Sequence, residues 1–244
     1  VELTGVVETD LKFNHEVYGE GFYSFIIRVQ RLSDISDLIN VTISERLLGS
    51  IELSVGDTVT VNGQFRSYNR HEEHRNKLVL SVFAREVTFV PEIEESAKTN
   101  QIFLDGYICK EPIYRKTPLG REIADLLLAV NRPYGKSDYI PCIAWGRNAR
   151  FVKTLNVGDR IAISGRIQSR EYQKKLSETD TRTMIAYEVS VSKLAAFEAG
   201  EDFDIDTEFD ENEQIEITFW AKNDSNQTQI DIYEGAIRDF ETLY

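Results

Sequence analysis

Several short spacings in this chain match reactive motifs, and each can be weighed by what its chemistry requires. Asp204-Ile205-Asp206-Thr207 has the Asp-x-Asp-x-Thr spacing of enzymes that carry a phosphoryl group on aspartate. That nucleophile has to end a buried apolar strand, and residues 198–203 are not one. In His71-Glu72-Glu73-His74 the second histidine comes one residue too early for the His-Glu-x-x-His zinc helix, so the stretch is read as the tip of a polar hairpin. The alternating carboxylates from Asp202 to Asp210 lack the glycine that turns a calcium loop. Cys109 and Cys142 have no second pair, which argues against a zinc ribbon or a disulfide framework. They are read as two buried thiols in a reducing cytoplasm. Only three histidines exist, and neither a Gly-rich phosphate loop nor a Ser–His–Asp spacing occurs. No catalytic set, metal or cofactor is therefore expected.

What remains is an alternation of aromatic and basic residues. Side chains two apart on a strand share a face, so Arg166, Gln168, Arg170 and Tyr172 point one way while Ile167 and Ser169 point the other. Lys174, Lys175 and Arg182 follow on a loop or hairpin and extend the positive track. Tyr139 and Trp145, six apart, share one face of a second extended run.

Charge is segregated along the chain. The net charge is −13, and residues 198–244 alone hold 15 Asp/Glu against Lys222 and Arg238. Of the rest, residues 1–98 are net −6 and residues 99–197 net +6. No run of 18 apolar residues and no basic leader into an apolar stretch is found, so neither a membrane span nor a signal peptide is expected.

The elements that position these residues recur. Leu3-Thr4-Gly5-Val6 lines up with Leu104-Asp105-Gly106-Tyr107, and Leu53-Ser54-Val55-Gly56-Asp57 with Leu155-Asn156-Val157-Gly158-Asp159. Val59 to Gly63 then matches Ile161 to Gly165. A nearly constant offset of 101–102 residues marks two copies of one domain, 1–98 and 99–197, joined through the charged stretch 91–99. Apolar runs at 22–29 and 123–130, alternation at 59–61 and 161–163, and β-rich runs at 79–90 and 184–191 predict strands. Short helices are expected at 45–51 and 148–155. Four or five strands with one small helix per copy make a small all-β barrel, of which the five-stranded oligonucleotide-binding (OB) barrel is the best known.

The second copy resembles the bacterial single-stranded-DNA-binding protein family. Gly106 to Gly120, with Glu111-Pro112, Arg115, Thr117-Pro118 and the closing Gly, resembles the family's opening strand and turn. Ala144-Trp145-Gly146-Arg147-Asn148-Ala149 resembles its third strand entering a helix, and Val157 to Ile167 its fourth strand. The resemblance implies two tandem OB barrels, sequence-tolerant single-strand binding in replication, repair and recombination, no enzymatic activity, and a homodimer presenting four barrels. It assigns base stacking to Tyr139, Trp145, Tyr172 and, where loop length varies, Tyr134. Arg115, Arg132, Arg147, Arg166, Arg170, Lys174 and Lys175 are the expected phosphate contacts, and a nucleoid-associated cytoplasmic location follows.

The first copy departs from this pattern. Ser44 stands where Trp145 does and Leu38 where Tyr139 does, although Gln64, Arg66, Tyr68 and Arg70 keep a polar face. A weaker or lost surface, serving as scaffold, is expected there. Residues 198–244 are expected to form an acidic C-terminal extension that recruits replication or repair proteins. Strand-like stretches at 215–221 and 229–233 make a small hairpin an equal expectation. Two rivals stand beside the binding reading. One is an OB-fold assembly subunit that binds no nucleic acid, which the overall acidity favours. The other is a metal-dependent hydrolase built on the acidic residues.

Overall fold

Apolar residues at every second position drive the strands, and pairing among those strands closes each copy into a barrel. The structure is a computed structural model describing residues 1–31, 33, 35–72, 75–91, 93, 98–175 and 181–197. For residues 69–72, 75–77, 134, 172–175 and 181–184 it describes the backbone alone. The first copy contains β1 (Glu2–Val7), β2 (Lys12–Val17), β3 (Glu20–Gln30), β4 (Ser36–Ser44), α1 (Glu45–Leu48), β5 (Thr58–Glu72) and β6 (Arg75–Phe89). The second contains β7 (Asn100–Lys116), β8 (Glu122–Arg132), β9 (Lys136–Trp145), α2 (Arg147–Val152), β10 (Arg160–Lys175) and β11 (Thr181–Ala196).

Pairing repeats between the copies. In the first, β1 pairs with β3 and β5, β3 with β4, β5 with β6, and β4 runs parallel to β6. In the second, β7 pairs with β8 and β10, β8 with β9, β10 with β11, and β9 runs parallel to β11. Each set of five closes on itself, because β1 pairs with β5 and β4 runs parallel to β6 in the first copy, as β7 does with β10 and β9 with β11 in the second. Closure removes free sheet edges. Both interiors are aliphatic: Leu3, Ile27, Val41, Val59, Val61 and Val82 fill one, Ile108, Leu128, Ile140, Ile161, Ile163 and Val189 the other. Two tandem OB barrels are thus the architecture.

The repeat landmarks have physical causes. Gly56 and Gly158 adopt φ of +95° and +100°, a conformation that side chains resist. The next residue completes each turn, Asp57 Oδ2 accepting the Ser54 N–H and Asp159 Oδ2 the Asn156 N–H, both at 2.7 Å. Gly63 and Gly165 sit at equivalent bulges where a Cβ would collide with the carbonyl oxygens of Phe83 and Ser190. Gly165→Ala is therefore expected to cost about 1–3 kcal/mol through forced backbone displacement. A lower urea midpoint at unchanged m-value would show it.

Several expectations need correction. The strands are longer than anticipated, up to 17 residues in β7. The first copy has an additional strand, β2, because its counterpart of β7 is broken between Val7 and Lys12. The helices are shorter than expected. Cys142 is buried, but Cys109 is only half-buried, its thiol donating to the Leu127 carbonyl at 3.3 Å. His71 pairs with Asn76 and Glu72 with Arg75, which fits a hairpin tip; Glu73 and His74 lie outside the described residues. The Asp204 to Thr207 motif, the carboxylates from Asp202, the acidic extension and its hairpin also lie outside them.

The barrels meet at a seam with approximate two-fold symmetry. Ser67 N–H donates to Asp138 Oδ1 at 2.6 Å, and Tyr139 N–H donates to Ser67 Oγ at 2.7 Å. Reciprocally, Ser169 N–H donates to Asp37 Oδ1 at 2.7 Å, and Leu38 N–H donates to Ser169 Oγ at 3.0 Å. Each buried aspartate faces an arginine of its own barrel: Arg31 grips Asp37 in bidentate fashion at 2.6 and 2.8 Å, and Arg132 Nε lies 3.0 Å from Asp138 Oδ2. Tyr187, pushed up to about 12 by burial, hydrogen-bonds the Asn40 backbone across the seam. The two barrels accordingly form one unit.

Candidate nucleic-acid interface

Strand β9 alternates except at Ile143, which is buried on the outward parity. Asp138, Ile140, Cys142 and Ala144 point inward and are buried, whereas Tyr139 and Trp145 point outward and remain 43% and 41% exposed. A core tryptophan would be covered, so neither ring is core packing. Pairing places Tyr139 opposite Ala129 and Trp145 opposite Ile123 on β8. On the far side of Ala129 lies Tyr107 of β7, also exposed. Two outward tyrosines therefore flank one small residue across three strands. Tyr107 was not anticipated, because a residue inside an apolar opening strand reads as core. Its place beside Gly106, on the odd positions that include exposed Phe103, is the signal that was available.

The basic residues fall into groups. Arg166 and Arg170 of β10 and Arg147 at the start of α2 are exposed and form no ion pair among the described residues. Gln168 shares their face, while Ile167 is buried and Ser169 turns into the seam. Arg115, one strand from Ile123, is engaged by Asp125 at 2.9 Å. Arg132 stands apart from the β10 arginines. Its guanidinium is partly buried at the seam beside Asp138, because the residue ends β8 where the two barrels touch. Lys174 and Lys175 end β10 opposite Arg182 and Thr181, and Tyr172 lies opposite Met184 on the same arm. Tyr134 lies on a 3-10 turn, Pro133–Gly135. The side chains of Tyr134, Tyr172, Lys174 and Lys175 lie outside the described residues.

Beneath this face, Tyr114 donates its hydroxyl to Glu122 Oε1 at 2.6 Å, and Arg150 pairs with the other oxygen of Glu122. These contacts hold the Glu122 carboxyl below its ordinary range and raise the Tyr114 hydroxyl. Burial pushes the Cys142 thiol up, so it is no nucleophile. No group of three or more His, Cys, Asp or Glu among the described residues is arranged to hold a metal.

Residues 99–194 match the single-strand binding protein family, and they span the whole second barrel. The second barrel is similar to that family. Relatives agree: single-stranded DNA-binding protein 3 of Listeria innocua is 36% identical over 81 residues, covering 30% of this chain and 51% of its own length. Single-stranded DNA-binding protein A of Bacillus subtilis is 35% identical over 83 residues, covering 31% and 48%. The chain spans about half the length of the curated relatives it matches. In fold, the crystal structure of wild-type single-stranded DNA binding protein from Thermus aquaticus superposes with a TM-score of 0.65 at 19% identity, covering 82% of this chain and 92% of that one. The tandem OB arrangement of this chain therefore recurs in that structure.

The first barrel also presents aromatics outward, by a different route. Ser44, at the position of Trp145, caps α1 instead, its Oγ accepting the Leu47 N–H at 3.3 Å. His15 stacks on Phe22 at 4.9 Å with rings 12° apart, Phe22 lies 5.7 Å from Phe83, and Arg66 sits 4.1 Å over the Phe83 ring. Phe22 and Phe83 had been hidden in apolar runs, although they occupy the parity opposite to buried Phe25 and Val82.

Proposed function

We propose that this chain binds single-stranded DNA without sequence preference, protecting it during replication, repair and recombination. The observation that carries this reading is the pair of outward, two-fifths-exposed rings of Tyr139 and Trp145 within a barrel similar to the single-strand binding protein family. Planar side chains stack on any base, and cations along the same face neutralise phosphates, so such a face binds without reading sequence. Tyr139 and Trp145, with Tyr172, Tyr134 and Tyr107, serve as platforms; Arg147, Arg166, Arg170, Lys174 and Lys175 line the phosphate path. The chain acts by binding rather than catalysis, in the cytoplasm as part of the nucleoid. It assembles as a homodimer with four barrels, and its acidic extension recruits replication or repair proteins. Among the described residues no helix is long and apolar enough to cross a membrane.

Electrostatics gives a direct check. Each phosphate neutralised on a single strand contributes about 0.7 to the slope of log K against log salt. The double variant Arg166→Gln/Arg170→Gln is expected to make that slope shallower by about 1.4, two contacts' worth. An unchanged slope in a salt titration of oligo-dT binding would remove β10 from the path.

A further inference from the structure

The two halves of the seam share a backbone plan and differ in charge. On one side Arg31 meets Asp37 one to one, and the neighbouring position on β10 is the neutral Gln168, which donates to Glu188 at 2.6 Å. On the other side Arg132 meets Asp138, and the position equivalent to Gln168 is Arg66. Among the described residues Arg66 donates from Nη2 only to the uncharged Gln64 Oε1, at 2.8 Å. Its Nε is buried and has no hydrogen-bond partner among the described residues. Burial above all, then the charge of Arg132, lowers the pKa of Arg66, with Asp138 opposing and Arg85 adding to the shift. Ser67, the residue after Arg66, donates its N–H to Asp138, so an arginine with a buried donor left over adjoins the Arg132–Asp138 pair as a half-built anion site.

What lies on either side of that site suggests which anion it takes. The residue after Arg66 is Ser67, whose hydroxyl holds the backbone N–H of Tyr139. In the other direction Arg66 covers Phe83, which continues to Phe22 and His15. The parallel ladders place Phe83 beside Thr42 and Ser190 beside Ile143, so Phe83 and Ser190 are equivalent. Aromatic and serine have exchanged places: the second barrel has Trp145 and Ser190, the first Ser44 and Phe83. The first barrel keeps an outward aromatic face, on β3 and β6 rather than at the end of β4.

We propose that Arg66 and Arg132 hold a backbone phosphate of a bound single strand at the seam, carrying it from Tyr139 onto Phe83, Phe22 and His15 of the first barrel. The proposal rests on the single-strand reading above and extends it to a barrel whose net charge of −6 speaks against binding. Guanidinium forks match phosphate oxygens, and the aromatic run supplies faces for bases.

The test uses the full chain and labelled oligo-dT of two lengths, about 8 and about 30 nucleotides, to engage one and two OB barrels. Arg66→Gln and Phe83→Ser each install the residue that the second barrel carries at the equivalent position, and thermal melting checks folding. On the long strand, Arg66→Gln is expected to make the salt slope shallower by about 0.7. Phe83→Ser is expected to weaken long-strand binding by about five- to a hundredfold at unchanged slope. Both variants should bind the short strand as the parent does. Folded variants with parental affinity and slope on the long strand would overturn the proposal and leave the Trp145 platform standing. A parent that binds neither strand would overturn the underlying reading instead. Inorganic phosphate that raises the parent's melting temperature but not that of Arg66→Gln, with long-strand binding unaltered, would make this a free-anion site and refute the strand path.

Discussion

Asp37→Ala is expected to destabilise the folded chain by about 3–5 kcal/mol, the cost of leaving a paired charge without its partner. Asp37 is fully buried and accepts four hydrogen bonds, two from Arg31 and two from Ser169 of the other barrel. Removing it strands a mostly covered guanidinium and an N–H at the seam together. A second variant separates the two causes. Arg31→Met with Asp37→Asn removes both charges yet keeps an oxygen for Ser169, and should recover most of the loss, because a buried ion pair contributes little net stability. Urea unfolding followed by intrinsic fluorescence measures both. A loss under about 1 kcal/mol for Asp37→Ala would fit a surface pair and contradict the buried seam.

The combined change Tyr139→Ala/Trp145→Ala is expected to weaken oligo-dT binding by about 2–6 kcal/mol, about 1–3 for each stacked base. Neither ring carries charge, so the salt slope should stay put while affinity falls. That signature separates platform loss from the arginine variants, which move the slope. Folding should tolerate the change, since both rings are two-fifths exposed and the inward residues of β9 are untouched. Full retention of affinity would mean that these rings face solvent for some other reason.

The barrels were legible because their landmarks are constraints that few residues satisfy. Gly158 needs a positive φ, Gly165 has no room for a Cβ, and Asp159 closes a turn, so these residues recur at fixed offset. β2 was not legible: nearly every residue in it is exposed, so no alternation marks it. The outward rings on β9 could be read from parity, although Ile143 on the same parity is buried. The seam could not. Asp37 and Asp138 look like ordinary surface carboxylates, and only the fold shows each taking an N–H from the other barrel. A trace existed in the recurrence of Arg31, Asp37 and Ser67 as Arg132, Asp138 and Ser169 at the repeat offset. The aromatic face of the first barrel could not be read by comparing single positions. Its Phe83 stands on β6 while Ser44 caps α1, a placement that needs the β4–β6 register to see.

The central claim is tested most directly by fluorescence anisotropy of a labelled oligo-dT of about 35 nucleotides, long enough for several OB barrels, with unlabelled duplex as competitor. The exposed platforms and free arginines predict tight, salt-sensitive binding that duplex fails to displace. Flat anisotropy at low salt, or equal displacement by duplex, would contradict it and leave the barrels as an assembly scaffold.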